Sequence, residues 1–245
     1  MTGKGQGMVT VIGRGHSGTR SMSHTLSASG FYMGEPLNES GDLLPPGSMY
    51  EACRVMAKYV THKGGLEWDF SKLFTMEIDP AFTRLIEDFL TVVLGSPAER
   101  KGWKIPETTL VYPWIVRMFP DIHYIHWVRD PRDCILGSHV TDDLGDFDVK
   151  YPDTGGDVRL MRAYSWKYQR EIMRATPEPK RVVRVRFEDM ALDQDRTLER
   201  LGAFLGVPMA KIEMRAAPVG RWKTDEGVHM YDFFKQDMDE NGYQY

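Results

Sequence analysis

The sequence predicts one α/β domain in which a central parallel β-sheet is flanked by helices on both faces. Three observations support this prediction. Short β-branched or aromatic runs alternate along the chain with segments of helical period. Several of these runs lead into a glycine or proline turn that begins a helix, which is the strand-loop-helix order of parallel sheets. Hydrophobic residues form 42% of the 245 positions, which is enough for the core of one domain.

The first strand-loop-helix unit lies near the amino terminus. The β-branched run at 8–12 ends at a glycine and predicts a buried parallel strand. The spacing of Met22 and Leu26 before Gly30 predicts a helix over 19–28. We expect the chemistry of the protein in the glycine-rich loop that joins the two elements.

Further elements continue the alternation. Pro106 ends one short strand, and another runs into Arg129-Asp130-Pro131, where Pro131 suits the first turn of a helix. The polar residues 1–7 are predicted to be a flexible tail, and residues at about 236–245 are predicted to be a flexible, solvated tail or a loosely docked segment. The sequence predicts helices at 48–59, 80–94, 108–118, after Pro131, through Arg174 and at 193–205, and strands at 102–105, 123–128 and 181–187.

Composition excludes several classes of protein. The formal net charge is -4, so the chain lacks the basic excess of a general nucleic-acid binder. Two cysteines, Cys53 and Cys134, provide neither a disulfide framework nor a short-spaced metal-ligand pair, and we expect no metal. No run of about 18 apolar residues predicts a membrane span. These features favour a cytoplasmic protein.

The loop Gly13-Arg14-Gly15-His16-Ser17-Gly18-Thr19-Arg20 is typical of an anion site. Its glycines let backbone N–H groups converge at the positive end of the following helix, and Ser17, Thr19 and Arg20 add donors. The alternative is a glycine-rich turn without a ligand. The nucleoside-triphosphatase P-loop would need lysine at Thr19 and a hydroxyl at Arg20, so the loop suits a shorter phosphate chain.

Ser17-Gly18-Thr19-Arg20 resembles the 5′-phosphosulfate loop of the sulfotransferase family that uses 3′-phosphoadenosine 5′-phosphosulfate (PAPS). The resemblance implies a P-loop nucleotide-hydrolase-like sulfotransferase fold and PAPS as sulfuryl donor. It also implies that the backbone from Gly15 to Thr19, with the Ser17 and Thr19 hydroxyls, holds the 5′-phosphosulfate. With arginine at position 20, the loop resembles that of the family's glycan-modifying branch.

The family's basic residue before Ser-Gly-Thr is His16 in this sequence. With an ordinary pKa of about 6.5, histidine can donate a hydrogen bond to the leaving phosphate, but its charge at neutral pH is conditional. A permanent charge could come from Lys104 or from Arg14. We rank Lys104 and His16 above Arg14.

Val128-Arg129-Asp130-Pro131-Arg132-Asp133 resembles the family's 3′-phosphate motif, in which Arg129 would fork onto the phosphate. In the family, a serine eight positions after this arginine also contacts the phosphate. This chain has Gly137 at that position, so Ser138, one position later, is the candidate for this contact and ranks below Arg129. Alternatively, Arg129 and Asp130 form a salt bridge at a helix start. The Ser17–Arg20 loop and the Val128–Asp133 motif each follow a predicted strand and occur in the order found in the family. This co-occurrence favours phosphate binding by Arg129 over the salt bridge.

The segment Gly220-Arg221-Trp222-Lys223 is similar to the family's late G-x-W-K segment, which closes over the 3′-phosphate. Arg221 or Lys223 would add charge there. Alternatively, Trp222 is an aromatic anchor under a loop. Phe187-Glu188-Asp189 also resembles the end of a strand in the family. This likeness supports the sulfotransferase fold and does not bear on catalysis.

Sulfuryl transfer needs a base for the proton of a hydroxyl or amine acceptor. The family uses a histidine after the middle strand or a glutamate after the first helix. Lys104-Ile105-Pro106-Glu107 contains no histidine, so Glu35 is the first candidate, with Glu39, Glu107 and His16 as alternatives. Glu35 could instead face solvent.

The loops at 42–47 and 141–156 are expected to shape the acceptor site, and the acceptor is a small molecule or a glycan. The sequence leaves the oligomeric state open. Two other functions remain possible on sequence grounds, namely a phosphonucleotide-binding protein without transferase activity and a small nucleotide kinase.

Overall fold

In the computed structural model, which describes residues 7–214 and 218–245, a parallel sheet of four strands forms the centre of the fold. The strands are β1 (Met8–Ile12), β4 (Lys101–Lys104), β5 (His123–Val128) and β6 (Val182–Arg186), and their order is β4-β1-β5-β6. Every neighbouring pair in this sheet is parallel. The predicted parallel sheet and its four strands are confirmed.

Helices follow the strands as the sequence predicts, and a separate antiparallel hairpin of two strands, β2 (Thr61–Gly64) and β3 (Glu67–Asp69), lies between two of them. The helices are α1 (Thr19–Ala28), α2 (Gly47–Ala57), α3 (Lys72–Thr75), α4 (Pro80–Phe89), α5 (Thr91–Gly95), α6 (Tyr112–Met118), α7 (Pro131–Cys134), α8 (Val158–Ala175), α9 (Phe187–Leu192), α10 (Gln194–Leu205) and α11 (Lys235–Asn241). Short 3-10 turns occupy Pro106–Thr109, Val140–Asp142, Leu144–Phe147, Arg221–Thr224 and Asp232–Phe234.

Side-chain alternation along β1 divides the core between the two faces of the sheet. Met8 and Ile12 belong to the cluster that includes buried residues of α2, α4, α6 and α8. Val9 and Val11 belong to the opposite cluster, with buried residues of α1, α9 and α10. The period of two thus buries both faces of a central strand, as expected for a parallel sheet covered by helices.

Two predicted helices differ from the structure for local reasons. The helix predicted at 80–94 is interrupted at Leu90, where the Thr91 hydroxyl donates to the carbonyl oxygens of Glu87 and Asp88. The helix predicted at 108–118 begins only at Tyr112, because Pro113 suits a first helical turn and a 3-10 turn precedes it.

Of the two alternatives for 236–245, the flexible tail is wrong, because the segment is docked on the domain. Residues 235–241 form α11, and Met238 and Tyr243 are buried in a third cluster with Phe234 and Trp166. The Tyr243 hydroxyl donates a 2.9 Å hydrogen bond to the Glu188 carboxylate. These apolar side chains, spaced among acidic ones, dock the segment on the domain. Of the predicted tail at 1–7, residues 1–6 lie outside the described residues.

Candidate functional site

The loop between β1 and α1 is built around glycines at points of close approach. A Cβ at Gly15 would lie 2.0 Å from the His139 ring, and a Cβ at Gly18 would lie 2.6 Å from the Phe187 ring. Gly18 also has a φ of 90° and directly precedes the first residue of α1. Only glycine fits these positions, so the backbone turns closely into the positive end of a helix of ten residues.

Ser17 and Thr19 are both buried in this loop, but they differ in their surroundings. The Ser17 hydroxyl donates to the Arg14 carbonyl at 2.5 Å, and the Trp127 indole donates to the Ser17 carbonyl at 2.8 Å. Thr19 lines the cleft above the loop. Ser17 therefore stabilises the turn, and Thr19 offers its hydroxyl at the first position of α1.

One cleft of about 350 Å³ collects residues from distant parts of the chain. It opens beyond the carboxyl ends of β1, β4 and β5, where ligands bind in open parallel sheets. Its walls carry more basic than acidic side chains. The lining residues are Gly15, His16, Gly18, Thr19, Arg20, Ser40, Asp42, Lys104, Pro106, Arg129, His139, Phe187, Pro218 and Arg221.

Lys104, at the end of β4, is 1% exposed yet borders the cleft. Its ammonium donates to the Ser40 carbonyl at 2.8 Å and forms an ion pair with Asp42. Burial lowers the pKa of Lys104, and the charge of Asp42 opposes this shift. The pair places a cation and a carboxylate side by side at the cleft wall.

Arg129 follows β5 and reaches the cleft under the glycine loop. Its guanidinium donates to the His16 carbonyl at 3.1 Å and to the Pro218 carbonyl at 2.5 Å, and it lies 4.4 Å from the Phe187 ring centroid. Arg129 Nε has no hydrogen-bond partner within the described part of the chain. Arg129 therefore joins the glycine loop to residues 218–223, called here the late segment. It does not pair with Asp130, whose carboxylate pairs with Arg132.

The late segment is held on α7. The buried Asp133 carboxylate accepts hydrogen bonds from the backbone N–H groups of Gly220 at 2.8 Å and Trp222 at 3.0 Å. The Arg132 guanidinium lies 3.8 Å from the centroid of the Trp222 ring. This anchoring brings Arg221 to the cleft, whereas Lys223 is exposed and does not line it.

Comparison with known proteins now decides the family. Residues 9–211 match the family described as the sulfotransferase family. The chain belongs to the sulfotransferase family. A search of the curated proteins gives no match.

Two solved structures share the fold of this sulfotransferase-family chain. The sulfotransferase domain from the curacin biosynthetic pathway has a TM-score of 0.57 and 14% identity, and the alignment covers 99% of each chain. The sulfotransferase domain from the Synechococcus PCC 7002 olefin synthase has a TM-score of 0.56 and 14% identity, over 100% of this chain and 98% of that one. At this identity the likeness establishes the fold.

Several residues predicted for the sulfotransferase site lie elsewhere. Arg14 is buried away from the cleft, where its guanidinium pairs with Asp142 at 2.5 Å and donates to the Cys134 carbonyl at 3.1 Å. Burial lowers the pKa of Arg14, and Asp142 opposes the shift. Arg14 thus acts as a support for the loop, and the predicted donor role at the cofactor has no geometric basis.

Ser138 is exposed and absent from the cleft lining. Position 137 is instead adjacent to the glycine loop, because a Cβ at Gly137 would lie 2.3 Å from Nδ1 of His16. His16 has a φ of 59°, a conformation that non-glycine residues rarely adopt, and its side chain borders the cleft. Glycine at the family's serine position therefore leaves room for the His16 ring.

The candidate bases are separated in space. Glu35 and Glu39 are exposed and do not line the cleft. Glu107 is 1% exposed, and burial raises its pKa to about 7. Desolvation, followed by the charge of Arg14, lowers the pKa of His16, so this ring is neutral at pH 7. Asp42 is the carboxylate that lines the cleft in the described ranges.

Sequence reasoning missed Asp42, Asp133 and His139 as site residues. Asp42 lies in the loop 42–47, which the sequence predicts to shape the acceptor site without indicating a single residue. Asp133 is the last residue of the motif that contains Arg129. His139 lies two positions after Gly137, which stands at the family's serine position, and it belongs to none of the motifs. Their roles depend on contacts between distant segments. Asp133 and Gly220, for example, are more than 80 residues apart in the sequence.

Among the described residues, no helix has the length and apolarity needed to cross a bilayer. The same residues contain no group of three or more His, Cys, Asp or Glu side chains that could hold a metal ion.

Proposed function

We propose that this member of the sulfotransferase family transfers a sulfuryl group from PAPS to a hydroxyl or amine of a small-molecule or glycan acceptor. One observation carries the proposal. A single cleft joins the glycine loop at the start of α1 to Arg129 and Arg221, with Lys104 and Asp42 on another wall. A cytoplasmic location remains a prediction.

The donor set fits a nucleotide with phosphate at both its 5′ and 3′ positions. The backbone at Gly15–Thr19 and the Thr19 hydroxyl would hold the 5′-phosphosulfate at the positive end of α1. Arg129 and Arg221 would bind the 3′-phosphate as charge-assisted donors. Carbonyl oxygens that Arg129 now contacts, those of His16 and Pro218, would give way in part to the phosphate oxygens.

The proposed reaction is an in-line displacement at sulfur. The acceptor oxygen or nitrogen forms a bond to sulfur as the bond between sulfur and the 5′-phosphate oxygen breaks, which leaves 3′-phosphoadenosine 5′-phosphate. The acceptor proton passes to a base. Lys104 and the His16 N–H would stabilise the negative charge that develops on the departing phosphate oxygen.

For the base we favour Asp42 over the sequence candidate Glu35, because Asp42 lines the cleft and Glu35 is exposed outside it. We expect Asp42→Asn to lower kcat by about 10²-fold or more, since a positioned base contributes about this much. The amide oxygen can still accept from Lys104, so affinity for 3′-phosphoadenosine 5′-phosphate should change little. The measurement pairs turnover of labelled PAPS with calorimetric titration of the nucleotide.

Glu35→Gln serves as the matched carboxylate-to-amide variant. Near-normal turnover in Glu35→Gln together with a loss in Asp42→Asn would support Asp42. The opposite pattern would assign the base to Glu35 and reject Asp42.

Calorimetric titration with 3′-phosphoadenosine 5′-phosphate, ATP and ADP tests the function as a whole. We expect preference for 3′-phosphoadenosine 5′-phosphate, since ATP has no 3′-phosphate for Arg129 and Arg221. Preference for ATP would indicate a nucleotide kinase. Tight binding of 3′-phosphoadenosine 5′-phosphate, with no turnover of PAPS across a library of hydroxyl and amine acceptors, would indicate a binding protein.

A further inference from the structure

We propose that His139 donates a hydrogen bond to the sulfuryl group in the cleft and thereby distinguishes the phosphosulfate from the plain 5′-phosphate. The proposal rests on the proposed function and adds a residue to its site. His139 lies on the segment after α7, two positions beyond Gly137.

The His139 ring lies directly against the glycine loop. A Cβ at Gly15 would lie between 2.0 and 2.3 Å from three atoms of the His139 ring, so the imidazole packs directly on the loop backbone that would hold the phosphosulfate. The ring borders the same cleft as Lys104 and Asp42. It therefore adjoins both the loop that would hold the phosphosulfate and the cleft in which the acceptor would react.

The His139 ring has one N–H, and its hydrogen bonds show which nitrogen carries it. The Thr141 backbone N–H donates to Nδ1 of His139 at 3.2 Å, so Nδ1 is an acceptor. A neutral imidazole that accepts at Nδ1 carries its hydrogen on Nε2. Burial, and then the charge of Arg14, lower the pKa of His139 to about 3, so the ring remains neutral at pH 7. His139 is thus a donor, and its acceptor nitrogen is already occupied.

His139 is also held firmly through its backbone. The His139 backbone N–H donates to Asp142 at 2.8 Å, and Asp142 also pairs with Arg14 and with Arg162. Arg14 belongs to the glycine loop, so the loop and the His139 segment share one buried ionic network. A donor fixed in this way needs little reorganisation when charge develops at the sulfuryl oxygens.

His139 and His16 face each other across the loop, with ring centroids 6.2 Å apart. Both rings are neutral, so this part of the cleft offers donors without a fixed charge. The permanent charges of Lys104, Arg20, Arg129 and Arg221 lie around it. We assign His16 to the departing phosphate oxygen and His139 to the oxygens on sulfur.

The test compares two nucleotides that differ only in the sulfuryl group. Calorimetry with the unchanged protein and with His139→Ala would measure the Kd of PAPS and of 3′-phosphoadenosine 5′-phosphate. We expect His139→Ala to weaken PAPS binding about tenfold, equivalent to about 1.4 kcal/mol, and to change binding of the desulfated nucleotide less than about twofold. Turnover should fall by about 10²-fold.

His139→Gln keeps an N–H donor and guards against a purely structural effect, since it should recover part of the lost PAPS affinity. His62→Ala, on the β2–β3 hairpin, is the matched control and should leave both affinities unchanged. Equal weakening of both nucleotides in His139→Ala, or unchanged turnover and PAPS affinity, would overturn the assignment. If the unchanged protein bound neither nucleotide, the proposed function itself would fail, and the role of His139 with it.

Discussion

His16 and Gly137 depend on each other at the scale of single residues. The family's loop has a lysine or arginine where this chain has His16, and the family's serine position holds Gly137. The structure relates the two differences, because any side chain at 137 would meet the His16 ring. Compared with the family pattern, this chain has an imidazole at position 16 in place of a fixed charge. It has glycine at position 137 in place of a hydroxyl, which leaves space for that imidazole.

A double-mutant cycle tests this dependence. We expect Gly137→Ala to displace the His16 ring and weaken binding of 3′-phosphoadenosine 5′-phosphate, because the new Cβ would lie 2.3 Å from Nδ1. In a His16→Ala background the same change should cost much less, since no ring remains to be displaced. Calorimetric affinities of the four proteins give the coupling, and strictly additive losses would contradict the contact.

The carboxyl of Glu107 makes stability depend on pH. Burial raises its pKa from 4.5 to about 7, so the folded state retains a proton that the unfolded state releases. This contribution to stability is present in full below pH 4.5 and is lost as pH rises through about 7.

We therefore expect Glu107→Gln to stabilise the protein at pH 8 and to leave stability at pH 4.5 nearly unchanged. The expected gain at pH 8 reaches about 3 kcal/mol, from a pKa difference of about 2.5 and ~1.4 kcal/mol per unit. Urea unfolding of both proteins at the two pH values measures it. The exposed Glu87→Gln is the matched control, and an equal gain in that variant would remove burial as the cause.

At the scale of elements, α7 is one turn long and still organises the part of the cleft where we propose that the 3′-phosphate binds. Asp133 lies on it and accepts from two backbone N–H groups of the late segment, while Arg132 stacks on Trp222. The strand end supplies Arg129, and the turn fixes the segment that carries Arg221. The two basic side chains thus reach one cleft from residues far apart in sequence.

Asp133→Ala should release the late segment, because it removes the acceptor for the Gly220 and Trp222 N–H groups. We expect affinity for 3′-phosphoadenosine 5′-phosphate to fall about tenfold or more, and affinity for AMP, which has no 3′-phosphate, to change little. Calorimetry with the two nucleotides measures the difference. A parallel loss for both would mean that Asp133 supports the whole cleft.

The sequence predicts the four strands of the sheet because each is a short run of β-branched or aromatic residues before a turn. It does not predict the β2–β3 hairpin, whose strands are short, mostly polar and not fully buried, and therefore lack the hydrophobic period. It misplaces the segment 236–245, where the buried Met238 and Tyr243 are outnumbered by acidic neighbours. The structure of that segment depends on its packing against other elements, which the local sequence pattern does not show.

Considered as a whole molecule, the chain concentrates positive charge at one place on an acidic background. The formal net charge is -4, whereas the cleft is bordered by Arg20, Lys104, Arg129 and Arg221. Of the predicted site, the backbone loop, Thr19, Arg20, Lys104, Arg129 and Arg221 meet in this cleft. Other predicted residues do not line it, because the position of a residue in a motif does not determine where its side chain points. They are Arg14, Ser17, Glu35, Ser138, Gly220, Trp222 and Lys223.

This charge distribution predicts a salt-dependent affinity. We expect binding of 3′-phosphoadenosine 5′-phosphate to weaken steadily between about 50 mM and about 500 mM NaCl, because screening shortens the reach of the cleft's cations. Calorimetric Kd values over this range measure the effect, with uncharged adenosine as the reference ligand. A salt-independent Kd would argue against a site built on these cations.

The strand order β4-β1-β5-β6 also governs when the protein can fold. Strand β1 leaves the ribosome first, yet its hydrogen-bonding partners begin at Lys101 and His123. Until then the apolar side chains of Met8–Ile12 have no sheet to join, and such long-range pairings make folding slow. During synthesis, therefore, the strand that leads into the glycine loop remains unpaired until residues 101–128 have been made, and an unpaired apolar strand is prone to aggregate.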